Sequence, residues 1–474
     1  MLKQLFKMCS VFALLGSVAV SAQFRVGVGK VDVTPDAGKL PEPFVSIHDH
    51  LFTRAILIEN AKNSALLMNI DTGKISPFLF GQLSQEISKQ YGIPVENMVI
   101  SAVHDHASVS SLGGEGAVSA RPVSPNMQAF IDKVRAGMLD AVKQAKASLQ
   151  PAEMGFGEGK LYLNVNRDAI DPKTRKWAQQ ANLEFPSDKT LAVIQFRKPN
   201  GGAPIAVYIN YAMHAVTMFL REQISGDFPE STAQYVESAL GDKVVAVWTV
   251  AAAGDQNPLY LRPINAIGDQ RVHQEMNPAK PADKGGAEEG AAIMRLFNGP
   301  LQRPIQPIDP TLDEQSWRVV QAIGTIMGEE TLRVMDGMTD LSSQGIIQGS
   351  YQVITCPGRR RLDAGREGTA GTYEDGPPVN IRIGAVRIGD VAIAHNDSEI
   401  YNKIGQEAKA GSPFRKTLMV GLADGGGGYI PTDDAFGRNT FQVVGNRLKP
   451  GCAEMGIVNG IDKTLNEFME KPAQ

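Results

Sequence analysis

Apolar and polar side chains alternate along residues 24–33, the period of a strand, and the run stops at the turn signal Thr34-Pro35-Asp36. Residues 55–58 and 65–70 predict two further strands joined by a turn at 60–64, and 98–103 reads as a buried strand. Residues 78–91 read as a helix. The clearest amphipathic helix covers 126–149, where Met127, Phe130, Ile131, Val134 and Met138 fall on one face and Pro125-Asn126 marks the start. Strands are predicted at 205–211 and 244–250 with a helix at 228–240 between them, and a long helix at 312–338. Residues 381–388 and 391–394 predict a hairpin around Gly389-Asp390, and 418–422 a short strand. The stretches 277–289 and 363–378, rich in Gly and in charged or Pro residues, read as surface loops. Strand and helix signals alternate with no repeat and no linker. The expectation is therefore an α/β fold: one large domain, residues 23–474, with a mixed β-sheet and flanking helices.

Composition narrows the class. Hydrophobic residues make up 43% and charged residues 21% of 474, which excludes a disordered, collagen-like or coiled-coil chain. The formal net charge of −4 supplies no basic excess for nucleic-acid binding. Residues 1–22 read as a cleaved signal peptide: Lys3 and Lys7 precede an apolar run, and Val20-Ser21-Ala22 is a small-residue cleavage site before Gln23. That apolar run is short against the ~20 residues of a spanning helix, and no later stretch spans a bilayer, so the expected location is secreted or periplasmic. Of three cysteines, Cys356 and Cys452 would remain, either as one disulfide or as two thiols.

Four of the seven histidines form His-x-His pairs. His104-Asp105-His106 follows the buried strand 98–103. If that strand continues, both imidazoles point to one side, a common way to offer nitrogen ligands to a metal; the bland alternative is a pair of hydrogen-bonded histidines. His48-Asp49-His50 lies in a polar stretch and reads first as a solvated loop. His214 follows the strand 205–211, and Ser225-Gly226-Asp227 then opens a helix. This arrangement resembles a crossover in an α/β sheet, where sites gather at strand carboxyl ends. Asp227 is a candidate to orient a ligating imidazole, or else a helix N-cap. His395-Asn396-Asp397-Ser398-Glu399 packs polar residues directly after a strand, with Glu399 as candidate ligand or as part of a helix first turn. Gly425–Gly428 suggests close backbone approach, or a flexible loop, and lacks the Lys-Ser/Thr of a phosphate loop. Gly-x-Ser-x-Gly and His-Glu-x-x-His are absent.

Taken in order, these segments resemble the neutral/alkaline ceramidases, zinc-dependent amidases that cleave N-acyl-sphingosine. The similarity runs through Val26-Gly27-Val28-Gly29-Lys30-Val31-Asp32-Val33-Thr34-Pro35, Arg54-Ala55, Ser101-Ala102-Val103-His104-Asp105-His106 and Asn164-Val165-Asn166-Arg167. It continues through Asn210–His214 with Ser225-Gly226-Asp227, Glu399, and Gly421-Leu422-Ala423 to Gly428-Tyr429-Ile430-Pro431-Thr432. The resemblance implies one Zn²⁺ held by His104, His214, Glu399 and Tyr429, with His106 as acid/base and Arg167 stabilising the oxyanion. Two imidazoles, a carboxylate and a phenolate suit zinc, which supplies a nucleophilic water at neutral pH. Three departures stand out. Asn257 replaces the family's serine, Asp105 replaces the threonine between the histidines, and few residues follow Phe436 where the family carries an immunoglobulin-like domain. The expected function is a secreted zinc hydrolase of an amide bond, on a small-molecule or lipid-like substrate. The competing readings are the same metal site acting on a polar or carbohydrate substrate, and a non-catalytic binding protein. Oligomeric state is not legible from this pattern.

Overall fold

The computed structural model describes residues 23–113, 123–241, 243–276, 307–363 and 367–470. The signal-like residues 1–22 and the expected loop at 277–289 lie outside them.

Among the described residues, three mixed sheets of four or five strands form the framework, with three smaller sheets beside them. The first contains Arg25–Asp32, Phe52–Glu59, Ser64–Ile70, Met98–Ala102 and the short Gln150–Pro151. The second contains Glu153–Lys160, Thr190–Arg197, Pro204–Tyr211, Val245–Val250 and Leu341–Ser342. The third contains Ile347–Arg361, Tyr373–Ile388, Val391–Asn396 and Lys416–Val420. The fold class is α/β, with the expected mixed pairing spread over several sheets rather than one.

The central strands are apolar along their whole length because both faces are covered. In Pro204–Tyr211, Val207, Ile209 and Tyr211 face the helices Asp227–Leu240 and Pro310–Asp336, while Ala206 and Tyr208 face a core shared with the other sheets. Phe52–Glu59 divides likewise. Ala55 and Leu57 meet the helices Pro77–Tyr91 and Pro125–Ala147, and Ile56 and Ile58 enter the shared core. The third sheet is covered by Asn402–Ala410 and Ala453–Glu470. Pro125–Ala147 starts where Ser124 accepts a hydrogen bond from the Met127 amide, with Pro125 in the first turn. It lies close on Arg25–Asp32 because position 29 has no side chain: a Cβ there would stand 2.0 Å from the Ala141 carbonyl oxygen.

Each of the three larger sheets contains one parallel pair: Ser64–Ile70 with Met98–Ala102, Pro204–Tyr211 with Val245–Val250, and Val391–Asn396 with Lys416–Val420. Their carboxyl ends are tied to one another. Ala102 N donates to Leu422 O at 3.1 Å, Gly421 N to Val250 O at 2.8 Å, and Gly254 N to Ile400 O at 2.8 Å. Gly254 permits the last contact, since a Cβ there would lie 2.4 Å from the Glu399 carbonyl oxygen.

Away from that junction, Arg54 is fully buried and binds the first sheet to Asp227–Leu240. Its guanidinium lies 3.5 Å from Asp71, 2.7 Å from Glu230 and 2.8 Å from Glu237, and Lys30 reaches Glu237 at 2.5 Å. Cys356 and Cys452 are joined in a disulfide, which settles the choice the sequence leaves open. The expected loop at 363–378 is a loop only in part. From Tyr373 the chain is the long strand Tyr373–Ile388, because its glycines and charges sit on an exposed hairpin arm held by the backbone ladder to Ile347–Arg361. Among the described residues, no helix is long and apolar enough to cross a membrane.

Candidate metal centre

The site forms where the strand carboxyl ends of the three sheets meet. Met98–Ala102 ends two residues before His104, Pro204–Tyr211 three before His214, and Val391–Asn396 three before Glu399. Cross-links between these loops fix their relative positions. His106 N donates to Ala215 O at 3.0 Å, and His214 N donates to Gln256 O at 3.1 Å.

His104 and His106 converge, but not by strand alternation. The strand stops at Ala102, and His104 takes a left-handed backbone with φ of 64°. That conformation is costly for a residue with a Cβ and gathers at functional sites. It turns the two rings edge to face, with the Nε2 atoms 3.5 Å apart. One nitrogen from each of His104, His106 and His214 lies within 4.8 Å of the others, so the cluster could hold a metal ion.

Glu399 completes the convergence. Its Oε2 lies 2.9 Å from His104 Nε2 and 3.4 Å from His214 Nε2. Glu399 enters through the two-residue strand Glu399–Ile400, which pairs in parallel with Tyr429–Ile430 and sets Tyr429 beside it. The alternative of Glu399 in a helix first turn is corrected here, since the helix begins later, at Asn402. The glycines at 425–428 serve this segment. A Cβ at position 427 would lie 2.1 Å from Ser398 Oγ, and Gly428 O accepts from the Glu399 amide at 3.1 Å.

The protonation pattern suits a cation. His214 Nδ1 faces the Gln256 carbonyl at 3.0 Å and His104 Nδ1 faces the Gly73 carbonyl at 3.3 Å. A carbonyl can only accept, so each ring presents an N–H at Nδ1, and the neutral tautomer this selects turns an Nε2 lone pair towards Glu399. Burial first, then Arg167, holds His214 at about 3, so it is neutral. Among the described residues, the buried His214 Nε2 and Glu399 Oε2 find no hydrogen-bond partner. Lone pairs that converge without a donor repel one another unless a cation stands among them, and the residues present therefore fit a metal.

Arg167, on the strand Asn164–Ile170, closes the other side. Its Nη2 donates to Gly254 O at 2.6 Å and its Nη1 to Asn257 Oδ1 at 3.3 Å, with the guanidinium 5.4 Å from the Tyr429 ring centre. Burial opposes its charge, but Tyr429, Asp168 and Glu399 outweigh it. Burial and then Glu399 raise the Tyr429 hydroxyl. Burial and the imidazoles of His104 and His214 hold His106 well below its ordinary value, with its ring 5.1 Å from that of Phe219.

Asp227 does not orient an imidazole, and that expectation is corrected. Its Oδ2 accepts from the Met218 amide at 2.8 Å, and it shapes the loop between His214 and its own helix. The orienting group is instead the Gln256 carbonyl, which side-chain identity cannot reveal. His48 bonds Asp49 at 2.9 Å and His50 bonds Asp32 at 2.6 Å, so this second pair stays in its polar loop. His395 is buried apart from the cluster, 3.2 Å from Asp424.

Residues 24–275 match the family model described as neutral/alkaline non-lysosomal ceramidase, N-terminal. The chain belongs to the neutral/alkaline ceramidase family. It is 23% identical over 211 residues to the neutral ceramidase of Drosophila melanogaster, and 24% identical over 224 residues to neutral ceramidase A of Dictyostelium discoideum. These alignments cover 42% and 44% of this chain but only 30% of each relative. The fold is similar to that of a ceramidase solved with C2, with a TM-score of 0.69, 16% identity, and coverage of 95% of this chain and 76% of that one. It is equally similar to the neutral ceramidase from Pseudomonas aeruginosa, with a TM-score of 0.68, 16% identity, and coverage of 95% and 75%.

Proposed function

We propose that this ceramidase-family chain is a zinc-dependent hydrolase of an N-acyl amide bond, with a ceramide-like lipid as the substrate. The observation that carries the proposal is the approach of His104 Nε2 and His214 Nε2 to one oxygen of Glu399. His104, His214, Glu399 and Tyr429 would hold the metal. His106 is left at the rim of the cluster, because the Glu399 oxygen stands between the other two imidazoles. When bound, a zinc ion supplies Lewis acidity towards a carbonyl oxygen and lowers the pKa of water to about 7.

The chain's own residues account for the rest. His106, neutral and partly exposed, would take a proton at Nε2 from the attacking water and return it to the leaving nitrogen. Arg167, held by Gly254 and Asn257, would meet the carbonyl oxygen as negative charge develops there. Gln256 and Gly73 keep the two imidazoles in the ligating tautomer. Export is part of the proposal, supported by the signal-like residues 1–22 and by a disulfide of the kind that oxidising compartments sustain.

The test combines metal analysis with a substrate comparison. The expected result is one zinc per chain, lost in His104→Ala, and turnover of N-acyl-sphingosine in preference to N-acyl-glucosamine. Active protein without metal would sink the metal assignment, and preferred turnover of the sugar would move the substrate to the polar class.

A further inference from the structure

The strand Gln256–Pro258 does two things in adjacent residues. The Gln256 carbonyl accepts from His214 N and faces His214 Nδ1 at 3.0 Å. The Asn257 side chain meets Arg167: its Oδ1 accepts from Arg167 Nη1 at 3.3 Å.

A guanidinium only donates, so this contact fixes which end of the carboxamide is which. The oxygen meets Arg167, which leaves the N–H₂ as the end free to donate. Asn257 is half-buried, and among the described residues its N–H₂ has no hydrogen-bond partner. Arg167 is held through its Nη atoms by Asn257 and Gly254 and lies against Tyr429, while among the described residues its buried Nε–H has no hydrogen-bond partner. A neutral donor at Asn257 therefore stands beside the charged Arg167, whose field reaches His106 and His214. The resemblance places a serine at position 257, and a serine hydroxyl reaches less far from the backbone than a carboxamide.

We propose that Asn257 is a second oxygen-binding donor of this site: Oδ1 holds Arg167, and Nδ2–H donates to the carbonyl oxygen of an N-acyl substrate next to Arg167. The inference rests on the hydrolase reading above for its substrate. It names an oxygen with partial negative charge as the ligand, either the amide carbonyl or the carboxylate of the fatty acid released. No covalent bond is made or broken by Asn257. A donor so placed strengthens as charge builds on the oxygen.

The experiment uses the as-purified chain, with octanoate binding by calorimetry and hydrolysis of N-octanoyl-sphingosine as separate readouts. Asn257→Ala is expected to lower kcat by about 10²-fold with KM nearly unchanged, and to weaken octanoate by roughly tenfold. A merely structural Asn257 would act only through Arg167. The same substitution is therefore repeated in a chain carrying Arg167→Ala, where octanoate is expected to weaken further. An unchanged octanoate affinity in the single variant overturns the proposal. So does no additional loss in the Arg167→Ala background, or no octanoate binding by the unsubstituted chain. Octanoate binding that depends on Asn257 without any turnover of the amide supports the donor and removes the hydrolase reading instead.

Discussion

Glu399 and Tyr429 are cross-strand partners in a two-residue parallel pairing, and that pairing carries the carboxylate to the two imidazoles. Glu399→Gln tests what the charge does there. The carboxamide keeps the shape and the strand, but it offers no anion between His104 and His214. Zinc affinity is expected to fall by at least ~10²-fold, more than for loss of an outer partner of a ligand. Thermal unfolding without metal should rise, because an anion pressed against lone pairs is removed. Competition with a fluorescent chelator measures the first effect. A zinc affinity equal to that of the unsubstituted chain would remove Glu399 from the ligand set.

Arg54 offers a prediction away from the site. One guanidinium, with help from Lys30, neutralises Asp71, Glu230 and Glu237 in the interior. Burial pushes Glu230 up to about 8 even beside Arg54. Arg54→Met keeps much of the volume and leaves the carboxyls without their cation. Breaking a buried ion pair from one side costs about 3–5 kcal/mol, because the partner charge stays buried. The urea midpoint should fall accordingly. A loss below about 1 kcal/mol would show that the carboxyls simply take up protons.

Much of the framework was legible because the central strands are buried on both faces, so that 98–103, 205–211 and 244–250 stand out as apolar runs. The hairpin at Gly389 and the helix after Pro125 carried turn and cap signals that the backbone obeys. Other elements gave no such signal. Glu153–Lys160 alternates glycine with larger residues, and those glycines pack under Val334, Met338 and Leu341. Trp177–Asn182 is polar and half-exposed. Ala453–Glu470 has an apolar stripe through Ile457, Ile461, Leu465 and Phe468, and its assignment was within reach of the pattern. In the site, the histidine pair was visible as a motif, although its convergence depends on the left-handed His104. Glu399 stood out as a polar residue after an apolar strand, but its partnership with Tyr429 was reachable only through the family resemblance, because the pairing that joins them spans 30 residues of sequence. Asp227 was misassigned because a backbone carbonyl, invisible in the residue pattern, orients His214.

Asp424 predicts a pH effect. Its Oδ1 accepts from the Ile100 amide at 2.9 Å and its Oδ2 lies 3.2 Å from His395 Nδ1. Burial pushes its carboxyl up to about 7 from an ordinary 3.8. Burial and then Arg382 hold His395 at about 3, so the ring supplies no positive charge. A carboxyl with a raised pKa binds its proton more tightly in the folded chain. Its contribution is therefore fully present below about pH 4 and is lost as pH rises towards 7. Asp424→Asn keeps a neutral acceptor for Ile100 and nothing that ionises. Between pH 5 and pH 8 the unsubstituted chain should lose roughly 2–4 kcal/mol more stability than the variant. Parallel denaturation curves across that range would contradict the assignment.

The Cys356–Cys452 disulfide closes a loop of 96 residues that contains Glu399 and Tyr429. It joins the strand Ile347–Arg361 to the start of the helix Ala453–Glu470, which covers the third sheet. In the chain-entropy account, a loop near 100 residues is worth about 4–5 kcal/mol, through the freedom removed from the unfolded chain. Cys452→Ser should lower the denaturant midpoint and raise the slope, because the released unfolded chain expands and exposes more surface. Reductant should lower the midpoint of the unsubstituted chain and leave that of a Cys356→Ser/Cys452→Ser chain where it is. The folded contacts of Glu399 are made by backbone pairing and by imidazoles, none of which involves either sulfur. Zinc affinity of the folded variant should therefore stay within a factor of a few of the unsubstituted chain. If affinity instead falls together with stability, the disulfide shapes the folded site as well as restraining the unfolded chain.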